Sequence, residues 1–193
     1  MKIAIDQSKL AGLEYAKGSV TAHEGVYLQE LIKLLNPEVV VEIGSWIGVS
    51  TIYLAQAMKE QGKGKVFAID PHQNYALHRR RHLPDTEPIL RENLKRFEVE
   101  EFVQVIRKTS LEALSSWVER IDLLFVDGNH LFNSVRADFF GFSPWIPSGG
   151  VLVFHDYLKL AGPRRVVDEI VKPSNLWEEL GCVQRLIAFR RKR

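Results

Sequence analysis

The stretch EIGSWIGVST, Glu42 to Thr51, follows directly on the apolar run Val39-Val40-Val41. A short apolar run that ends in a glycine turn and leads into a helical pattern is how an open α/β fold begins. Ligands of such folds sit outside the carboxyl ends of the strands. The glycine spacing narrows the ligand. A dinucleotide loop, GxGxxG, carries a middle glycine so that the backbone can approach pyrophosphate at the helix N-terminus. Here Gly44 and Gly48 stand four apart, with Trp46 between them. There is no lysine of the kind a P-loop requires, and Glu42 brings a negative charge to the same mouth. A carboxylate there suits a cation or an ammonium group better than a phosphate.

Outward from this loop, strand-like and helix-like segments alternate. VVVEIG (39–44), KVFAID (65–70), FVQVIR (102–107), IDLLFVD (121–127) and GGVLVFHD (149–156) are short and rich in Val, Ile and Phe. They are apolar on both faces, as strands covered by helices on two sides should be. Residues 24–35, 49–60, about 90–99, 110–119, 132–143 and 163–172 suit helices. The first of these ends at Asn36-Pro37, and Ser110 or Thr109 caps the fourth. WEELG and CVQRLIAFRR read as two further strands joined by a turn at Gly181. The expectation is a Rossmann-like, doubly wound, mostly parallel sheet closed by a C-terminal antiparallel pair. It forms one domain over 1–193, with 1–37 as an N-terminal helical segment.

The totals exclude several classes. A chain of 193 residues, 46% apolar and 26% charged, is long enough to bury a proper core. The net charge of +2 does not by itself argue for nucleic acid. One cysteine, Cys182, allows neither an internal disulfide nor a cysteine-based zinc cluster. MKIAIDQSKL carries charges where a signal peptide needs an apolar core. No run approaches the roughly 18 apolar residues of a membrane span. A cytoplasmic protein without membrane contact is expected.

The second strand ends at Asp70, 26 residues after Gly44. An acid there can take both hydroxyls of a ribose. A ribose and an ammonium group without phosphates describe S-adenosylmethionine (SAM). Two more polar groups emerge from buried strands at the same edge: Asp127 with Gly128-Asn129-His130, and His155-Asp156. Buried polar groups need partners. One explanation is a divalent cation that binds paired substrate oxygens and lowers the pKa of the accepting hydroxyl. The other is that His155 and Asp156 hydrogen-bond each other and nearby loops.

With these residues in order, the chain resembles the class I SAM-dependent methyltransferases. Within them it is similar to the small O-methyltransferases of the catechol and caffeoyl-CoA type and to the macrocin and cephalosporin-hydroxylase-like group. AKGSVTAHEGVYLQELI, EIGSWIGVST, VFAIDPH, KTSLEAL, LLFVDGNH and GGVLVFHDY carry the resemblance, from about residue 16 to 157. It implies that Glu42 and Gly44 approach the methionine part of the cofactor, and that Ser50, beyond Gly48, binds its carboxylate. Trp46 takes the bulky position of this subgroup. Asp70 holds the ribose, Pro71 and His72 line the adenine pocket, and Thr109 and Ser110 reach the adenine edge. Asp127 borders the cofactor and, with the positions of His155 and Asp156, holds magnesium.

The chain departs from that pattern twice. His155 stands where relatives carry a carboxylate, a donor set that suits manganese, iron or zinc at least as well as magnesium. The catechol type places a lysine three residues after the metal acid, where this chain has His130. The macrocin type places an acid two residues after it, where this chain has Asn129. His130 serves either as base, with an ordinary pKa of about 6.5, or as a structural histidine.

The leading expectation is an O-methyltransferase acting on a small hydroxylated molecule. The competing readings are a cofactor-binding protein without turnover and a nicotinamide-dependent oxidoreductase. A nucleic-acid methyltransferase would draw on HRRRH (78–82) and RRKR (190–193) but lacks an NPPY-like motif. Tyr15, His23, Trp145 and Tyr157 are candidates for the acceptor pocket, and Arg79, Arg80 and Arg81 for an anionic group on the acceptor. Homodimers are common in the resembled group.

Overall fold

The computed structural model describes residue 5 and residues 7–13, 18–72 and 85–193. Tyr15 and Arg79, Arg80 and Arg81 lie outside them. The helices are α1 (Gln7–Ala11), α2 (Ala22–Leu35), α3 (Val49–Gln61), α4 (Thr86–Arg96), α5 (Ser110–Leu114), α6 (Phe132–Phe142) and α7 (Ala161–Val166). The strands are β1 (Val39–Ile43), β2 (Lys65–Ile69), β3 (Val103–Ile106), β4 (Leu123–Val126), β5 (Val151–Phe154), β6 (Trp177–Val183) and β7 (Leu186–Arg191). They form one sheet in the order β3-β2-β1-β4-β5-β7-β6. All neighbours are parallel except β7, which runs antiparallel to β5 and β6. The expected sheet is therefore present. The chain winds outward from β1 to β3, then returns to the other side of β1 at β4. The loops after β1 and β4 thus diverge and leave a crevice at the carboxyl edge.

Strand alternation assigns each side chain to a face. Val40, Leu123, Phe125, Val151 and Val153 join the core under α2, α3 and α4, with Leu28, Ile52 and Leu90. Val41, Leu124, Val126, Leu152 and Phe154 join the opposite core, with Phe139, Phe142 and Val166 of α6 and α7. The ladder continues one residue past the strands, because Asp127 N–H donates to Ile43 O (2.8 Å) and His155 N–H to Val126 O (3.1 Å). Glu42, Asp127 and His155 therefore fall on the α2/α3 side. Parity alone decides this.

Gly44 allows the crevice to be narrow. Its φ is +90°, and a Cβ there would lie 2.3 Å from the backbone oxygen of Asp127. Gly44→Ala combines a left-handed side chain with a backbone clash and should cost about 2 kcal/mol or more. The expected readout is a melting temperature lower by about 5 °C or more. An unchanged melt would mean that the two loops can separate freely.

Among the boundaries that differ from expectation, three have a local reason. The helix expected over 110–119 stops at Leu114. Ser115 and Ser116 turn their hydroxyls back onto the carbonyls of Glu112 and Ala113 (2.7 and 3.4 Å), which competes with helix propagation. Trp117 then packs edge-on against Phe67 and Phe142, at centroid distances of 5.2 and 6.1 Å. The last hairpin turns at Gln184-Arg185 and not at Gly181. Gly181 lies inside β6, where the register slips between Glu179 and Gly181, so the glycine marks a bulge. Helix α4 begins at Thr86, because Asp85 accepts from Glu87 N–H and caps it there. Among the described residues no helix is long and apolar enough to cross a membrane.

Candidate active site

The glycine turn is held from below and from the side. Glu42 is fully buried, and its two carboxyl oxygens each lie 2.5 Å from a hydroxyl, that of Ser50 and that of Thr51. Burial pushes its pKa up to about 8 against those hydrogen bonds, with Asp127 and Asp70 adding to the rise. Glu42 thus clamps the start of α3 from inside, with no face toward the crevice. From the side, Asp70 accepts the Trp46 N–H on one oxygen (2.9 Å) and the His72 N–H on the other (2.7 Å). Trp46 and His72 are both left-handed, with φ of +45° and +51°. Each costs backbone strain that the Asp70 bond offsets. Gly48 caps α3 without a side-chain bond, so the first N–H groups of that helix receive no partner from the cap residue's side chain.

Three buried polar atoms in these loops have no partner among the described residues: Ser45 Oγ, Trp46 Nε1 and His72 Nε2. Groups of this kind require a ligand or water. Pro71 is half-buried beside them. The His72 Nδ1 lies 2.9 Å from Thr86 Oγ1, and burial depresses its pKa despite nearby Asp70. Across the crevice, Thr109 caps α5 in a capping box with Glu112. Ser110 donates to Asp138 Oδ1 (2.5 Å), a buried acid whose pKa burial raises to about 6, with Ser110 working against the rise. The Ser110 proton is therefore committed to the protein, and its lone pairs remain for a ligand.

At the ends of β4 and β5 a denser cluster forms. Asp127 Oδ1 is 2.9 Å from His155 Nδ1 and 3.4 Å from His130 Nε2. His130 Nε2 is also 3.3 Å from Asp156 Oδ2. Behind them His155, 1% exposed, turns its Nε2 to Glu24 Oε2 at 3.4 Å. Arg185 spans Glu24 (2.8 Å) and Asp156 (3.2 Å). Asp156 is itself left-handed, with φ of +53°. Burial works to raise the Asp127 pKa, but His155 and His130 hold it below the usual carboxylate range. Burial likewise works to lower that of His155, and Asp127, Glu24 and Asp156 carry it up to about 9.

The carboxylate and imidazole donor atoms of Asp127, His130 and Asp156 lie within 4.8 Å of one another. That grouping differs from the expected one by taking His130 in place of His155. Three of the four oxygens on Asp127 and Asp156 already face a histidine or Arg185. Of the acceptor-pocket candidates, Tyr157 follows Asp156 and donates its hydroxyl to Asp168 (2.9 Å), and His23 is exposed on the first turn of α2. Trp145 is a correction. Its carbonyl accepts from Ile121 N–H, just before β4, which places it at the amino edge of the sheet.

Three residues of the site escaped sequence reading. Glu24 is concealed as the N3 acid of a capping box with Thr21, and Arg185 as a hairpin residue. Asp138 had a visible signal, because it interrupts the apolar stripe of Val135, Phe139 and Phe142 on α6.

Residues 41–157 match the family model described as a methyltransferase domain. Over 140 residues the chain is 29% identical to the uncharacterized protein y4gI of Sinorhizobium fredii, covering 72% of this chain and 15% of that much longer protein. Among solved structures, the O-methyltransferase TomG from Streptomyces achromogenes, involved in tomaymycin synthesis and in complex with SAM, superposes with a TM-score of 0.74. The identity is 17%, over 98% of this chain and 92% of that one. The O-methyltransferase from Bacillus cereus in complex with S-adenosylhomocysteine gives a TM-score of 0.70 at 21% identity, over 96% and 88%. These likenesses establish the fold of class I methyltransferases.

Proposed function

Because the chain belongs to the methyltransferase-domain family, we propose that it transfers the methyl group of SAM to a hydroxyl of a small molecule. The observation that carries this reading is the contact of Gly44 with the Asp127 backbone. It sets the loop after β1 directly against a cluster at this edge that can take a proton. The names of the superposed O-methyltransferases favour oxygen as the acceptor atom.

Bound SAM supplies an electrophilic methyl group, whose bond to sulfur breaks with both electrons left on sulfur as the acceptor oxygen bonds to carbon. The residues around it bind and orient. Asp70 takes the ribose hydroxyls, and Pro71, His72, Thr109 and Ser110 border the base. The free N–H groups beyond Gly48 meet the methionine carboxylate. Glu42 acts through Ser50 and Thr51 by holding that helix start in place. Trp46 and Asp127 close the methionine end.

His130 takes the acceptor proton. Its Nε2 sits between Asp127 and Asp156, so that nitrogen carries hydrogen and the opposite one, Nδ1, is the basic atom. This is how a carboxylate fixes the tautomer of a catalytic imidazole. Its side chain is 40% exposed, open enough to meet an acceptor. The expected divalent metal fits these residues poorly. Both ring nitrogens of His155 face carboxylates, and Arg185 stands on Asp156. No step is therefore routed through a metal.

The test is transfer of labelled methyl from SAM to a panel of phenols, catechols and sugar hydroxyls. His130→Ala should lower turnover about a hundredfold or more, the usual share of a general base. SAM affinity should stay within about twofold of the parent, since no cofactor contact is lost. SAM binding with no transfer to any acceptor would leave a binding protein of the same fold.

A further inference from the structure

Arg185 is held on every side. Its backbone N–H and Nε donate to Glu24 Oε1 (2.9 and 3.1 Å), and Nη2 donates to Glu24 Oε2 and Ser19 O (both 2.8 Å). Nη1 donates to Asp156 Oδ1 (3.2 Å) and Gly18 O (3.3 Å). Beside it Thr21 Oγ1 donates to Gln184 Oε1 (2.6 Å), which pins the hairpin turn to the start of α2. A guanidinium bonded at so many points cannot swing aside, and it stays charged at any working pH. His155 is equally confined. It is wedged against Phe125, at a centroid distance of 6.3 Å, with a carboxylate oxygen opposite each ring nitrogen. Both of its nitrogens are thereby taken up by neighbouring side chains.

We propose that Arg185 stands as a built-in positive charge, with the His155 ring turned between Asp127 and Glu24, where a divalent cation would otherwise hold Asp127 and Asp156. The acceptor site is then metal-independent. The inference rests on the methyltransferase reading for the role of the site, but not for its charge. Glu24 and Asp156 each bring a negative charge, and Arg185 stands within hydrogen-bond distance of both. A divalent ion on Asp156 would lie beside a cation that cannot retreat. Among the described residues, only Asp127 Oδ2 of the four oxygens on Asp127 and Asp156 faces neither a histidine nor Arg185. A metal also bridges the two oxygens of a paired-hydroxyl acceptor. Arg185 has its donors committed, so the acceptor meets His130 alone. An acceptor with one hydroxyl then serves as well as one with two.

Manganese is the probe. Chelator-treated full-length protein is titrated with Mn²⁺, and free Mn²⁺ is followed by electron paramagnetic resonance. SAM affinity is measured separately, so failure of the cofactor reading is distinguishable. The parent chain should show no saturable site up to millimolar metal. His155→Asp supplies a further carboxylate, and Arg185→Gln removes the cation. At least one of them should bind Mn²⁺ tenfold or more tighter than the parent, with a matching upward thermal shift. Circular dichroism confirms that each variant is folded. A micromolar site in the parent chain that disappears in Asp127→Asn would overturn the proposal. So would folded variants that both remain as indifferent to Mn²⁺ as the parent, since Arg185 and His155 would then not be what excludes it.

Discussion

Asp70→Ala is expected to weaken SAM binding about a hundredfold or more. Hydrogen bonds to a charged acceptor contribute roughly 1.5–3 kcal/mol each, and the proposed binding mode hangs two ribose hydroxyls on this carboxylate. About 3 kcal/mol corresponds to roughly two decades of affinity. The loss has a second source in the protein itself. Asp70 also receives the N–H groups of Trp46 and His72, both held in the left-handed region. Without it those loops relax, and the shape of the crevice goes with them. Asp70→Asn keeps one carbonyl oxygen and should fall between the two. Calorimetric titration checks the series, together with the thermal shift that SAM gives to the parent chain. Affinity within threefold of the parent in Asp70→Ala would place the ribose elsewhere.

The second large effect concerns stability and pH. The folded chain keeps a proton on Glu42 up to about pH 8, whereas the unfolded chain releases it near the ordinary value of 4.5. Between those values the folded state binds more protons than the unfolded one. Stability from this group is therefore fully present below 4.5, falls as pH rises through about 8, and is level beyond it. Glu42→Gln has no proton to lose and keeps partners for the Ser50 and Thr51 hydroxyls. Between about pH 6 and pH 8 the parent should lose about 2 kcal/mol more than this variant. Urea unfolding at the two pH values reads the difference directly. Parallel curves for the two chains would mean that Glu42 is ionised in the fold. Glu42→Ala leaves both hydroxyls buried without a partner and should cost about 3 kcal/mol or more at either pH.

Much of this site was legible because it is local. Gly44, Asp70, Asp127, His155 and Asp156 each stand at the end of an apolar run, and such runs in alternation with helices leave only the carboxyl edge for them. Asp138 could have been found the same way, as an acid on the buried stripe of an amphipathic helix. The roles of Ser50 and Ser110 were harder. Both lie where a ligand-binding hydroxyl is expected, yet each spends its hydroxyl on a buried acid, Glu42 or Asp138. Which of two nearby groups a hydroxyl chooses depends on ångström-scale approach that no spacing reports. Trp145 failed for a similar reason. An aromatic residue after α6 falls at the edge to which the helix delivers it, and that is the edge away from the crevice.

The sequence by itself determined the parallel sheet, the carboxyl-edge crevice and the face on which each polar residue emerges. Those follow from backbone geometry, in which side chains alternate with a period of two along a strand. Only the tertiary structure decided what waits on that face. Glu24 and Arg185 are separated by 161 residues and meet because the last hairpin, whose β7 pairs with β5, brings its turn to the start of α2. Long-range burial of apolar surface sets those contacts, and it leaves no periodicity to read. The imidazole expected to hold a metal with Asp127 and Asp156 thereby lies between Asp127 and Glu24.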